Sequence, residues 1–255
     1  MRFLNRIINK FKRDSFKGLL FAAAKKITGF NIYKQKMVVR EFEKILKLSS
    51  NKKRFSEIYK KKLWGDGESV SGNGSSYEST KAIRNWLVAN IPKLNLTTIV
   101  DAPCGDFHWM KEVVSKVDFT YKGFDIVEPL IKKNQDCYAT NKVTFEVADI
   151  CEDTLPNCDL LIVRDILFHL SLTNISKFLK NIASVKYRYL ITTNYRVRDD
   201  FSNKDIRSGD FRIISLLHPP FNFREKDIYE RIDEGLDGME SRELLIFKKE
   251  DVPTA

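Results

Sequence analysis

The chain has 255 residues, 43% of them hydrophobic. That suffices for one well-buried core with an extra lobe or arm, and no stretch reaches the roughly 18 to 20 apolar residues a membrane span requires. Four cysteines without a C-x-x-C pair, and a first apolar run punctuated by Arg and Lys, point to a reducing cytoplasm and away from a secretory leader or structural zinc. The expectation is a soluble cytoplasmic protein, at most peripheral on the inner face of the membrane.

The formal net charge of +10 is unevenly placed. Residues 1–62 hold 19 Lys or Arg against four acids, Asp14, Glu41, Glu43 and Glu57, whereas the remaining 193 residues are net acidic. Residues 1–62 are therefore read as a basic helical arm. Within it Phe3, Leu4, Ile7, Ile8 and Phe11 recur at helical spacing, flanked by Arg2, Arg6, Lys10 and Arg13, the pattern of a basic amphipathic helix. Such a helix can pack on the domain or attach to an anionic membrane surface. Nucleic acid is the weaker expectation: the arm carries no recognisable RNA-binding motif and the rest of the chain is acidic.

The main domain, residues 63–255, starts with the Gly/Ser-rich run "KKLWGDGESVSGNGSSYEST", and Ser75-x-x-Glu78 has the form of a capping box for the helix that follows. Strand-like and helical patterns then alternate. "TTIVDA" is a strand, with a helix from about His108; "TYKGFDI" is a strand, with a helix from about Glu128; "VTFEVADI" and "CDLLIVRD" are strands, with a helix from about Leu167; "YRYLITT" is a strand. A pair around "YERIDE" and "RELLIFKK" closes the chain. Alternation of this kind implies right-handed crossovers and a parallel sheet covered by helices on both faces. Ligands in such sheets bind at the carboxyl ends of the strands, near the switch point.

Asp101, Asp125 and Asp149 each end one of the first three strands, so three carboxylates lie along one rim. Singly each would pass for a helix cap or turn residue; in register they suggest a ligand. A dinucleotide fold also ends its second strand with an acid, but its turn carries G-x-G-x-x-G so that the backbone can touch the pyrophosphate. Here the matching run is "APCGDF", with Pro103, a single Gly105, and Phe107. A ligand without phosphates, having a ribose, an adenine and a cationic amino-acid tail, suits carboxylates and one close approach. S-adenosylmethionine (SAM) has that constitution.

"IVDAPCGDFHWM", "YKGFDIVEPLI", "FEVADI" and "DLLIVRDILFHLS" together resemble the successive motifs of class I SAM-dependent methyltransferases, over about residues 64–248. The segments "SGNGSSYEST" and "NKDIRSGDFRIISLLHPPFNF" resemble a bacterial subgroup encoded with surface-polysaccharide genes, which methylates sugars or their substituents. The resemblance implies an α/β Rossmann-like sheet, mostly parallel with an antiparallel C-terminal strand. It implies that Asp101, Ala102, Pro103 and Gly105 border the methionine part, that Asp125 with Ile126 holds the ribose, and that Asp149 receives the adenine amino group with Ile150 beside the ring. Arg164, at the end of the fourth strand, joins that cofactor set.

The fourth strand exits into Arg164-Asp165-Ile-Leu-Phe-His169. If the helix begins near Asp165, then Asp165 and His169 share a face, and a His with an orienting carboxylate is a usual base for a hydroxyl acceptor. This pair is the expected catalytic unit; His108 is the alternative base, reaching in from the first helix, or a side chain contacting the acceptor. His169 can equally be read as packing the helix, with Asp165 as its cap. No His has metal-ligand spacing, so no metal is expected. Residues 195–225 are too long for a plain connection and are read as a lid that binds the acceptor through Tyr195, Arg196, Asn203, Asp205, Asp210 and Arg212. Three functions remain open: an O-methyltransferase acting on a sugar, nucleotide-sugar or glycan acceptor, an RNA methyltransferase using the arm, and a non-catalytic subunit of the same fold.

Overall fold

The computed structural model describes residues 32–65, 67–235 and 242–253, with side chains of the first helix from Val39 onward. The apolar stripe from Phe3 to Phe11, and with it the expected membrane-binding helix, lies outside the described residues. No helix among those described is long and apolar enough to cross a membrane.

Seven strands form one sheet: β1 (Thr98–Asp101), β2 (Thr120–Asp125), β3 (Val143–Val147), β4 (Leu160–Val163), β5 (Tyr189–Tyr195), β6 (Ile228–Asp233) and β7 (Arg242–Lys248). Their order is β3-β2-β1-β4-β5-β7-β6. All neighbours from β3 to β5 pair in parallel, and β7 runs antiparallel between β5 and β6. The central strands are nearly continuous apolar runs because both faces are covered; Leu160, Leu161, Ile162 and Val163 are fully buried. From β1 the chain winds outward through β2 to β3, then returns to place β4 on the other side of β1. The switch point therefore lies between β1 and β4, where the carboxyl ends diverge and leave a crevice.

Helices cover both faces: α1 (Ile32–Leu46), α2 (Asn51–Lys60), α3 (Lys81–Lys93), α4 (Met110–Lys116), α5 (Glu128–Tyr138) and α6 (Leu172–Ala183). On one face α6 buries Ile175, Phe178, Leu179 and Ile182, an i, i+3, i+4, i+7 stripe. The same core takes in Phe42 and Ile45 of α1, Phe55 and Ile58 of α2, and Phe211, Ile214, Leu216, Phe221 and Phe223 of the long connection after β5. On the opposite face Ile83, Trp86, Leu87 and Ile91 of α3 pack with Met110 and Val113 of α4. The latter half of the expected arm is thus part of the domain's core, because its apolar residues recur at helical spacing beneath the lysines.

Two helix starts differ from expectation. The helix after β4 begins at Leu172, not near Asp165, because Ser171 Oγ accepts the Asn174 N–H and caps it there. The stretch before it, Leu167–His169, is a single 3-10 turn. Upstream, α3 begins at Lys81 and Ser75 does not cap it; Ser76 Oγ instead accepts the Ser79 N–H at 3.2 Å in the preceding turn.

Candidate functional site

A cavity lies at the carboxyl ends of β1 to β4. Asp101, Pro103, Gly105, Asp125, Ile126, Asp149, Ile150 and Arg164, all expected from the sequence, line it. Ala102 is buried directly beneath, its N–H bonded to the Ile162 carbonyl at 2.9 Å, so it holds β1 to β4 without facing the cavity.

The turn after β1 explains its single glycine. Gly105 has φ +54°, and a Cβ there would lie 2.4 Å from Ser71 Oγ. The upstream loop closes onto this point: Asp106 accepts the Ser69 hydroxyl and the Val70 N–H, each at 2.9 Å, and Ser71 Oγ accepts the Asp106 N–H at 3.1 Å. Phe107, where a nucleotide-binding turn has glycine, instead packs its ring against Tyr121, Tyr138 and Phe145.

The strand-end acids are poised differently. Asp101 is buried and takes the Tyr121 hydroxyl on Oδ2 at 2.8 Å, but its Oδ1 has no partner among the described residues. Burial pushes its carboxyl up to about 7, against the opposing pull of the Tyr121 hydrogen bond and of Arg164. Asp125 accepts the Val127 N–H on Oδ1 at 3.0 Å and the Gly105 N–H on Oδ2 at 3.2 Å. Burial raises it to about 6, only partly offset by these backbone donors. Because a carboxylate has about four lone-pair sites, both oxygens can accept a further hydrogen bond. Asp149 turns Oδ1 to the Cys151 N–H at 2.9 Å and Oδ2 to Asn51 Nδ2 at 3.4 Å.

The opposite wall comes from residues upstream of the sheet, which sequence reasoning assigned to the arm or to a loop: Asn51, Phe55 and Tyr59 of α2, then Trp64, Ser71 and Ser75. The signal that would have found them is the helical spacing of Asn51, Phe55, Ile58 and Tyr59, masked by the lysines between. Leu130, Ala148, Ile166 and Leu170 complete an apolar lining.

Beside the cavity, Arg164, Asp165, Glu234 and Arg242 form a buried ion cluster. Arg164 reaches Glu234 through Nε and Nη2 at 3.2 and 3.0 Å, Asp165 through Nη1 at 3.1 Å, and the Gly74 carbonyl at 2.8 Å. Arg242 Nη1 donates to Asp165 Oδ2 at 2.9 Å, and Thr193 donates to Asp165 Oδ1 at 3.0 Å. Burial would raise Asp165, but Arg164 and Arg242 more than offset it and hold its carboxyl below the usual range. The Arg164 guanidinium is thus engaged within the protein rather than free for a ligand. Gly74 is required by the same cluster: a Cβ there would meet Asp165 Oδ2 at 2.5 Å.

The expected pairing of Asp165 with His169 does not form. Asp165 sits at φ +56°, which breaks any helical relation between the two. His169 Nδ1 lies 2.7 Å from the Asp210 carbonyl, so it is the N–H of a neutral ring, and the ring stacks on Trp64 at 4.9 Å. Burial lowers its pKa to about 4, and it does not line the cavity. The alternative, His108, bonds Glu68 at 2.9 Å, packs near Tyr77 and is also off the cavity wall.

Of the expected acceptor residues, Asp205 accepts the Leu172 N–H at 2.7 Å at the start of α6, and Arg212 is buried with Nη1 on the Leu167 carbonyl at 3.2 Å. Both hold the connection after β5 in place. Tyr195 lines a second, wider groove at the carboxyl end of β5, with Arg196, His218, Phe223, Arg231 and Glu243. The connection is fully irregular yet ordered by its core phenylalanines and by Asn203, whose amide donates to the Ser215, His218 and Pro219 carbonyls. Among the described residues no group of His, Cys, Asp or Glu is placed to hold a metal ion.

No family model and no curated protein matches this chain. Among solved structures it is similar to magnesium protoporphyrin IX methyltransferase from Synechocystis PCC 6803 with bound SAM, at 16% identity, covering 79% of this chain and 98% of that one with a TM-score of 0.51. Human N-acetylserotonin methyltransferase in complex with SAM aligns at 13% identity, covering 88% of this chain and 60% of that one with a TM-score of 0.49. The first likeness establishes the fold: the Rossmann-like sheet of the SAM-dependent methyltransferases.

Proposed function

We propose that the protein is a SAM-dependent methyltransferase whose acceptor is a hydroxyl of a sugar, nucleotide sugar or glycan substituent. The observation that carries the cofactor is the row Asp101, Asp125 and Asp149 around one cavity, with Asp101 Oδ1 buried and unpaired. A buried carboxyl with an unmet oxygen is costly, and an ammonium group opposite it would supply both a donor and a countercharge. Asp125, oriented by the Gly105 and Val127 N–H groups, would hold the ribose hydroxyls. Asp149 would receive the adenine amino group between Ile126 and Ile150.

When bound, SAM supplies an electrophilic methyl on a sulfonium sulfur. The chain's task is to align an acceptor oxygen with it, which in well-oriented systems can supply about 7 to 11 kcal/mol. The Gly/Ser loop, clamped by Asp106 and by the Gly74 carbonyl on Arg164, contributes Val70, Ser71 and Ser75 to the cavity wall. Asp165, also on the cavity wall, is held ionised by its arginine partners, which make it a weak base. Catalysis by this protein therefore rests mainly on alignment. A polar acceptor is supported by the groove at Tyr195, whose lining includes Arg196, His218, Arg231 and Glu243; planar polar groups of this kind suit a carbohydrate.

The test has two parts. Asp125→Ala should weaken SAM binding by roughly 10 to 150-fold, the loss of a charged hydrogen bond of about 1.5 to 3 kcal/mol, read by calorimetry. An acceptor screen with labelled SAM over nucleotide sugars and oligosaccharides should find turnover. Unchanged affinity in folded Asp125→Ala refutes the cofactor site, and turnover confined to RNA refutes the acceptor class.

A further inference from the structure

Asn51 opens α2 and faces the cavity beside Asp149, and its side chain leaves little freedom in how it is oriented. Its Oδ1 accepts two hydrogen bonds, from Arg54 Nη2 at 2.7 Å and from Asn174 Nδ2 at 3.0 Å. Asn174 is fixed in turn, because its other amide hydrogen goes to Ser208 Oγ at 2.7 Å. With both Oδ1 lone pairs engaged, the Asn51 Nδ2 must point toward Asp149, where it donates one hydrogen to Oδ2 across an N···O distance of 3.4 Å. An amide nitrogen carries two hydrogens, and Nδ2 makes no other hydrogen bond among the described residues. A carboxylate acceptor and an amide donor thus stand side by side on the cavity wall.

On the reading that this cavity binds SAM, we propose that Asn51 and Asp149 together read the edge of the adenine. Asp149 Oδ2 accepts a hydrogen of the 6-amino group, and the second Asn51 Nδ2–H donates to a ring nitrogen flanking that group, N1 or N7. Adenine presents a donor with an acceptor on each side of it; a 6-oxo purine presents an acceptor toward Asp149 and is rejected. Asn51 is then a specificity residue contributed by the segment upstream of the sheet. Its orientation is set by α6 through Asn174 and by the long connection through Ser208, so the connection after β5 is joined to the adenine end of the site.

The experiment uses the full chain and calorimetry with three ligands: S-adenosylhomocysteine and its analogues with N1 or N7 replaced by C–H. The parent protein should bind one of the two analogues about five- to tenfold more weakly than S-adenosylhomocysteine, the worth of one hydrogen bond. Asn51→Ala should lose a similar factor for S-adenosylhomocysteine and lose the preference against that analogue. Asn51→Asp retains an acceptor for Arg54 and Asn174 but sets an acceptor beside Asp149, and should lose more. If Asn51→Ala weakens all three ligands equally, or if Asn51→Asp keeps the parent's preference, Asn51 only packs the wall and the proposal is overturned. Should the alanine variant fail to fold, the aspartate variant decides alone. Failure of the parent protein to bind S-adenosylhomocysteine refutes instead the cofactor reading beneath it.

Discussion

Two sets of buried charge meet at the same rim, and they are built on opposite principles. In the cluster of Arg164, Asp165, Glu234 and Arg242 every carboxylate faces an arginine, and the protein completes its own electrostatics. At the ends of β1 and β2, Asp101 and Asp125 are buried without any cationic side chain bonded to them, and burial raises both. Breaking a buried ion pair strands a charge and is strongly destabilising, whereas an acid that burial already penalises is tolerated only if something else rewards it. The first set maintains the architecture; the second is suited to a ligand.

Substitution should separate the two most sharply. Arg164→Met removes the arginine shared by Glu234, Asp165 and the Gly74 carbonyl, and should cost about 3 to 5 kcal/mol in urea denaturation. Asp101→Asn keeps an acceptor for the Tyr121 hydroxyl while deleting the penalised charge. At pH 8, where Asp101 is ionised, that variant should be at least as stable as the parent yet bind S-adenosylhomocysteine more weakly. Equal destabilisation by both substitutions would erase the distinction.

The contrast sharpens with pH. In the free protein Asp101 is protonated below about 7, and a bound ammonium group favours the ionised form. Affinity for S-adenosylhomocysteine should therefore fall as pH drops through that value, by at most about tenfold per pH unit, with proton release visible in calorimetry across buffers. Methylthioadenosine, which lacks the ammonium group, should show much less of this dependence. For stability the sign reverses: the folded form binds more protons than the unfolded form from 3.8 up to about 7, so Asp101 makes the empty protein less stable as pH rises through that window.

The smallest effect is expected at His169. It stacks on Trp64 and bonds the Asp210 carbonyl away from the cavity wall. His169→Ala should lower the unfolding free energy by about 1 to 2 kcal/mol, the cost of losing one hydrogen bond and some packing, and leave the pH profile of turnover unchanged. Loss of an alkaline-rising limb through a His-like pKa would restore it as a base and blur the line between structural and reacting groups.

The site itself shows what was legible beforehand. Asp101, Gly105, Asp125 and Asp149 could be found because strand ends converge on one rim in any parallel sheet, so sequence spacing translates directly into position. The expected pairing of Asp165 with His169 fails because the positive φ of Asp165 and a cap at Ser171, beyond His169, keep the stretch between them out of helical register. Helical spacing could place Asn51 on the inner face of α2 but not beside the acid it touches, 98 residues away, and no spacing could join Glu234 to its arginine, 70 residues away.

By itself, then, the sequence determined the alternation of strands and helices, the parallel sheet and the acidic rim, since these follow from local apolar periodicity and from the geometry of the crossover. Only the tertiary structure decided which carboxylates are satisfied by arginine and which are left facing a cavity. It alone brought the basic segment's Asn51, Phe55 and Tyr59 across the sheet to close the site. The physical reason is that burial and pairing are long-range properties: Arg164 stands next to Asp165 in the chain, but Arg242 and Glu234, which complete its cluster, and Tyr121, which bonds Asp101, come from other elements, and a carboxyl's pKa depends on which segments fold over it.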